Sequence, residues 1–157
     1  MAVEDSLIRE FETKFPSLSP ELGPENLRRL LDVCSVVEMA PGRKLFRDRM
    51  PVDSLYLVLD GEMTVSIGDG RQKIELGKVG AGDWLGEVAV LSGELRASST
   101  VTTDTPCRAL RIHSREFENF VLFDEDIAYP LLDQLVALLS KRVRESAASE
   151  SNITQSA

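Results

Sequence analysis

The sequence predicts a mostly β domain flanked by helices, and three observations support this. Between residues 36 and 112, short apolar runs recur about every ten residues, separated by turn residues such as Pro41-Gly42 and Asp60-Gly61. Several of these runs alternate apolar and polar residues, which is typical of strands with one buried face. Before and after this region, apolar residues recur at helix spacing instead. Evenly spaced short strands with glycine turns favour an antiparallel sandwich or barrel over βαβ units.

Residues 1–35 are predicted to form an N-terminal helical segment. Its first helix has apolar residues at helix spacing, namely Leu7, Ile8, Phe11 and Phe15. Gly23-Pro24 ends one helix and starts another, because proline suits the first helical position. The next helix has one stripe that we expect to be buried, formed by Leu27, Leu30, Leu31 and Val33.

Residues 36–113 are predicted to form the strands, and residues 114–146 the C-terminal helices. A short helix around Phe117 and Phe120 is followed by a linker and then by a longer helix that opens at Pro130. The apolar residues of that helix cover more than half of its circumference, which indicates one contact with the strands and a second contact elsewhere. Simple packing on the strands is the alternative. Residues 147–157 are mostly small and polar, and we expect a disordered tail.

Composition argues against several classes of partner. The chain has 157 residues, with 18 basic and 26 acidic side chains and a net charge of −8. Phosphate backbones are bound by clustered Lys and Arg, so no nucleic-acid partner is expected. The basic cluster at residues 141–144 is interpreted as a complement to the dipole at a helix C-terminus. Neither a membrane-length apolar run nor a secretion signal is present, so we expect a cytoplasmic protein without membrane contact.

Cysteine and histidine usage predicts neither a cofactor nor catalytic activity. Cys34 and Cys107 lie far apart and form no C-x-x-C motif, which excludes a thiolate zinc site and a disulfide scaffold. His113 is the single histidine, and it is expected at the surface or as a helix cap. A metal enzyme of the cupin type needs about two or three histidines, so we expect no metal and no enzyme.

The segment 82–99 carries the most informative chemistry. A glycine-flanked stretch lies between two predicted strands, and one helical turn there would point free N–H groups at Gly86 and Glu87. Arg96 could close over the same point with a planar fork suited to phosphate. Glu87 would repel an anion unless it accepts hydrogen bonds from a neutral hydroxyl of the same ligand. The alternative is a surface ion pair between Glu87 and Arg96.

Two consecutive motifs resemble a known cassette. Residues 86–91 (GEVAVL) and 93–98 (GELRAS) are similar to the phosphate-binding cassette of cyclic nucleotide-binding domains. Pro41-Gly42, residues 54–61 and Gly82-Asp83 resemble the early strands and the turn before the cassette in that family. The resemblance extends from about residue 27 to residue 143. It implies a cupin-like double-stranded β-helix (a β-roll or jelly roll), with a cassette helix within residues 86–98.

The resemblance also implies a role for each cassette residue. Glu87 would hold the ribose 2′-hydroxyl and Arg96 the cyclic phosphate. The backbone N–H groups of Val88 and Ala89 would assist, and Gly86 would permit close approach. Ala97 lacks the hydroxyl that favours cyclic GMP, so cyclic AMP is the expected ligand. The implied binding residues are therefore Gly86, Glu87, Val88, Ala89, Arg96, Ala97 and Ser98.

The function implied is that of a stand-alone regulatory sensor for cyclic AMP, with cyclic GMP as the alternative ligand. Ligand binding would move the helix at 130–144, which is also a candidate surface for a homodimer or an unidentified protein partner. A second hypothesis keeps the fold as a protein-interaction module that binds no nucleotide. Two departures from the family are evident: Arg49 stands where glycine is common, and no helix-turn-helix follows the long helix.

Overall fold

The computed structural model describes the backbone of residues 4–156 and the side chains of residues 4–145. The helices in this part of the chain are α1 (Asp5–Lys14), α2 (Leu18–Val33), α3 (Glu87–Ser92), α4 (Ser114–Phe123) and α5 (Glu125–Ser156). The strands are β1 (Ser35–Met39), β2 (Lys44–Phe46), β3 (Ser54–Asp60), β4 (Glu62–Ile67), β5 (Ile74–Gly80), β6 (Trp84–Leu85), β7 (Thr100–Thr103) and β8 (Cys107–His113).

Two antiparallel sheets form the β-roll, in the orders β1-β8-β3-β6 and β2-β7-β4-β5. The alternation along β3 divides the core into two parts, because successive side chains on a strand point to opposite faces. Leu55, Leu57 and Leu59 pack with the helices, whereas Val58 faces the inside of the roll with Met63. The predicted mostly β fold with flanking helices is therefore confirmed.

The N-terminal helices are interrupted at Gly23-Pro24, as predicted. Backbone angles at Gly23 (φ 78°) interrupt α2, and the helix resumes at Pro24. The stripe after this kink is buried at Leu27, Leu30 and Leu31. Val33 is 36% exposed, so its predicted burial is wrong: it is the last residue of α2, where the chain turns into β1.

Helix α5 begins earlier and ends later than the sequence predicts. It starts at Glu125 rather than at Pro130, because the Asp124 carbonyl already accepts hydrogen bonds from the N–H groups of Ile127 (3.2 Å) and Ala128 (3.0 Å). Its backbone continues to Ser156, where we expected a disordered tail from residue 147; no glycine or proline interrupts residues 147–156. Within the described residues, no helix combines the length and the apolar character that crossing a membrane requires.

His113 is an exposed helix cap, as predicted. Its Nδ1 accepts a hydrogen bond from the backbone N–H of Arg115 (3.2 Å) at the start of α4. A capping acceptor of this kind satisfies one of the free N–H groups of a helix. Through the residues whose side chains are described, no group of three His, Cys, Asp or Glu is arranged to hold a metal ion.

We predict that Cys34 reacts slowly with alkylating reagents. Burial raises the pKa of its thiol from an ordinary value of 9.0 to about 12, and Sγ donates a hydrogen bond to the Leu30 carbonyl (3.2 Å). Since only the thiolate attacks, its alkylation by iodoacetamide at pH 8 should be roughly a thousandfold slower than that of a free cysteine. Peptide mass spectrometry over time measures the rate. Unfolding in urea should restore ordinary reactivity, and rapid labelling of Cys34 in the folded protein would contradict the prediction.

Candidate functional site

A cavity of about 460 Å³ opens beside α3, between the β-roll and the C-terminal half of α5. Six of the seven predicted binding residues line it, namely Gly86, Glu87, Val88, Ala89, Ala97 and Ser98. Apolar side chains from the roll complete the wall, among them Phe46, Val52 and Leu76. The fold thus brings most of the cassette together around one open cavity.

Arg96 is the exception among the predicted residues. Its side chain is exposed and does not line the cavity, although its backbone forms a bridge with Pro51. Ala97, the next residue, is buried and faces the cavity. Arg96 therefore stands at the rim of the cavity.

Gly86 fixes the start of α3 against β3. Its φ of +83° lies in the left-handed region, and a Cβ on it would lie 2.5 Å from the backbone oxygen of Ser54. The same atom would lie 3.3 Å from the Phe46 ring. Only glycine fits here without moving backbone. The close approach that the sequence predicted for Gly86 is made, in this structure, to a neighbouring strand.

Glu87 is a nearly buried carboxylate, with 5% of its surface exposed. Its partner is the guanidinium of Arg142, which also donates a hydrogen bond to the Trp84 carbonyl (3.2 Å). The alternative ion pair between Glu87 and Arg96 is therefore wrong. Helix α5 reaches the cavity and contributes Arg142 and Glu145 to its lining. Arg142 forms the ion pair with the Glu87 carboxylate.

Sequence reasoning missed Arg142. The basic cluster at 141–144 was interpreted as the end of a helix, but α5 continues to Ser156, so a dipole role does not explain it. A usable signal was the spacing, because Leu131, Leu135, Leu138 and Arg142 follow one another at intervals of four, three and four residues. Such residues share one helix face. The arginine therefore continues the packed face of α5 rather than its solvent face.

A second unpredicted cation, Lys78, lies at the cavity wall. Its Nζ contacts the Asp104 carboxylate (3.0 Å) and donates to the Thr64 hydroxyl oxygen (2.9 Å). The hydrogen bond to Asp104 raises the pKa of Lys78, while hydrogen bonds from Thr64 and Lys78 lower the pKa of Asp104. Lys78, on the strand that forms this part of the cavity wall, is therefore held as a cation by Asp104.

Comparisons with known proteins point to one family. The family model described as "Cyclic nucleotide-binding domain" matches residues 36–122. A cAMP-dependent protein kinase regulatory subunit from Colletotrichum orbiculare is 30% identical over 105 residues, covering 66% of this chain and 26% of that protein. The chain thus spans about a quarter of this curated relative's length.

Solved structures show the same fold. A cyclic nucleotide-binding domain from Methylobacillus flagellatus KT is similar with a TM-score of 0.74 and 22% identity, covering 87% of this chain and 82% of that one. The catabolite activator protein of Thermus thermophilus is similar with a TM-score of 0.70 and 23% identity, covering 87% and 63%.

Proposed function

The chain belongs to the cyclic nucleotide-binding domain family, and from that premise we propose that it senses cyclic AMP, with cyclic GMP as the alternative ligand. The observation that carries the proposal is the buried Glu87 carboxylate, which faces a cavity lined by five further cassette residues. A buried carboxylate needs hydrogen-bond donors, and the free ribose 2′-hydroxyl of a cyclic nucleotide is a neutral donor of the right kind. The proposed role is regulatory and cytoplasmic, without catalysis.

The dimensions and the lining of the cavity suit a nucleotide. About 460 Å³ lies within the usual range for small-molecule pockets. Glu87 would accept from the ribose, while Ala97 and Ser98 lie at the end where Arg96 reaches the rim. Leu76 and Val88 line the cavity yet remain 57% and 46% exposed, so a purine placed against them would bury apolar surface.

The Glu87–Arg142 contact supplies a link between the ligand and α5. A ribose hydroxyl and the Arg142 guanidinium would compete for the same carboxylate. The N-terminal half of α5 is anchored by buried Leu131 and Leu135, and Gln134 donates to Glu21 on α2 (3.3 Å). Ligand binding would therefore release the C-terminal half of α5 while its N-terminal half stays in place.

The outward face of α5 is the proposed surface for a second copy. Tyr129, Val136 and Val143 are 62–69% exposed and follow one another at seven-residue intervals, with partly buried Leu132 and Leu139 between them. This spacing is typical of a helix that pairs with another helix. Analytical ultracentrifugation should show a dimer that Val136→Glu dissociates, and a monomer or a complex only with another protein would contradict the pairing.

A second candidate function is supported by the same ion pair. Arg142 satisfies the Glu87 carboxylate from within the chain, as it would in a protein-interaction module that binds no nucleotide. The two functions differ in one measurable property, which is whether a cyclic nucleotide binds.

Calorimetric titration with cyclic AMP, cyclic GMP and AMP tests the proposal. We expect saturable binding of a cyclic nucleotide with a Kd on the order of micromolar, which corresponds to about −8 kcal/mol. Arg96→Ala should weaken it about tenfold or more through the lost charge-assisted hydrogen bonds, and AMP should bind more weakly. Flat traces for all three nucleotides would overturn the sensor and leave the interaction module.

A further inference from the structure

The backbone of Arg49 is bonded to Ala97, the residue that follows Arg96 and lines the cavity. The Arg49 N–H donates to the Ala97 carbonyl (2.9 Å), and the Ala97 N–H donates to the Met50 carbonyl (2.9 Å). Two reciprocal backbone hydrogen bonds therefore tie the segment before β3 to the end of the cassette. Whatever moves Ala97 also moves Arg49, so these two arginines form one structural unit with the cavity wall.

The backbone at Arg49 is strained. Its φ is +67°, and among the described residues only Leu95 (φ +54°) shares a positive φ without being glycine. Leu95 belongs to the same unit, since its carbonyl accepts the N–H of Val52 (2.7 Å). A left-handed backbone conformation is unfavourable for a residue that has a Cβ atom. Strain of this kind collects at ligand clamps and binding sites.

Three arginines on these two segments are exposed and carry no ion pair among the described residues. Arg47, Arg49 and Arg96 are exposed, and none of them has an ion-pair partner in the part of the chain with described side chains. The chain as a whole carries a net charge of −8, so acidic partners are plentiful elsewhere. Exposed, unpaired guanidinium groups can rotate toward an anion at the cost of side-chain entropy alone.

We propose that Arg49 is a second phosphate-binding residue, which closes with Arg96 over the phosphate of the bound nucleotide. This inference rests on the proposed function. Arg96 would supply one planar fork and Arg49 the other, from segments that the backbone bonds through Ala97 hold in register. The ligand class is a nucleotide whose phosphate reaches the rim of the cavity beside Ala97 and Ser98.

Titration of the full chain with cyclic AMP at low and high salt tests this role. Arg49→Asn removes the charge but suits the left-handed backbone, and we expect binding about tenfold weaker, with a smaller salt dependence. Arg49→Lys should recover part of the affinity. The matched control is Arg47→Gln, which removes a neighbouring exposed charge and should change affinity less than about twofold.

Thermal unfolding separates binding from folding. Because asparagine relieves the strain at this φ, the melting temperature of Arg49→Asn should not fall below that of the wild type. If Arg49→Asn binds cyclic AMP as Arg47→Gln does, the inference is overturned while the proposed function stands. If the wild type binds no cyclic nucleotide, the proposed function is overturned and the inference with it.

Discussion

Replacing Arg142 with glutamine should raise the affinity for cyclic AMP about tenfold, whereas replacing Glu87 with glutamine should lower it by about tenfold or more. Both substitutions break the same ion pair. Arg142→Gln removes the competitor and leaves the carboxylate for the ribose. The gain in affinity should lie between the gains expected from breaking an exposed and a buried ion pair. The Arg142 side chain is 36% exposed, whereas the Glu87 side chain is only 6% exposed. Glu87→Gln removes the charged acceptor itself.

The two variants should act alike on α5 and oppositely on the ligand. Hydrogen exchange should show the same loss of protection in the C-terminal half of α5 for both, since both release it from the cassette. Arg144→Gln is the matched control, because it removes an exposed positive charge two residues away. The proposed competition between Arg142 and the ribose for Glu87 would be contradicted by either of two results. One is an equal effect of Arg142→Gln and Arg144→Gln on affinity, and the other is a fall in affinity for both Arg142→Gln and Glu87→Gln.

Replacing Gly86 with alanine should destabilise the protein by about 2–5 kcal/mol, which is the largest stability effect expected at the cassette. The added Cβ would meet the Ser54 backbone oxygen at 2.5 Å, and β3 is central to its sheet, so neither strand nor cassette can yield without losing other contacts. The positive φ adds a further penalty. Nucleotide binding should be lost along with the geometry of α3.

Gly93 provides the control for this substitution. It lies at the other end of α3 with a similar φ of +76°, but a Cβ there would meet nothing within 4 Å. Gly93→Ala should therefore cost about 1 kcal/mol, from the backbone conformation alone. Urea unfolding of the two variants measures the difference. Equal losses of stability would show that the contact with Ser54 does not decide the position of the cassette.

The cassette illustrates what local sequence could predict. Gly86 and Gly93 bracket α3 because glycine tolerates the left-handed angles that begin and end so short a helix. The strands could also be predicted locally, because apolar-polar alternation and turn residues are patterns among neighbours in sequence. The start of α5 was missed although Asp124 suits an N-cap and Glu125 and Asp126 form an acidic first turn, because Pro130 also suits the first position of a helix.

The neighbours of the cassette side chains could not be predicted in the same way. Glu87 and Arg96 are close in sequence and opposite in charge, yet they do not pair. The backbone of Arg96 forms a bridge with Pro51, and its side chain is exposed. The partner of Glu87 comes from Arg142, 55 residues away. A pairing across that separation depends on how α5 packs against α2 and α4, which local spacing does not encode.

The sequence by itself therefore determined the β-roll with its flanking helices, the cassette and six of the residues around its cavity. Periodicity and turn residues predict the strands and the flanking helices, whereas the β-roll and the cassette residues follow from the resemblance of two contiguous motifs to a known family. Only the tertiary structure decided that Arg142 holds Glu87, that Arg96 lies outside the cavity lining, and that the backbone of Arg49 is bonded to Ala97. The physical reason is that burial and charge pairing arise between segments distant in the chain, and only packing brings those segments together.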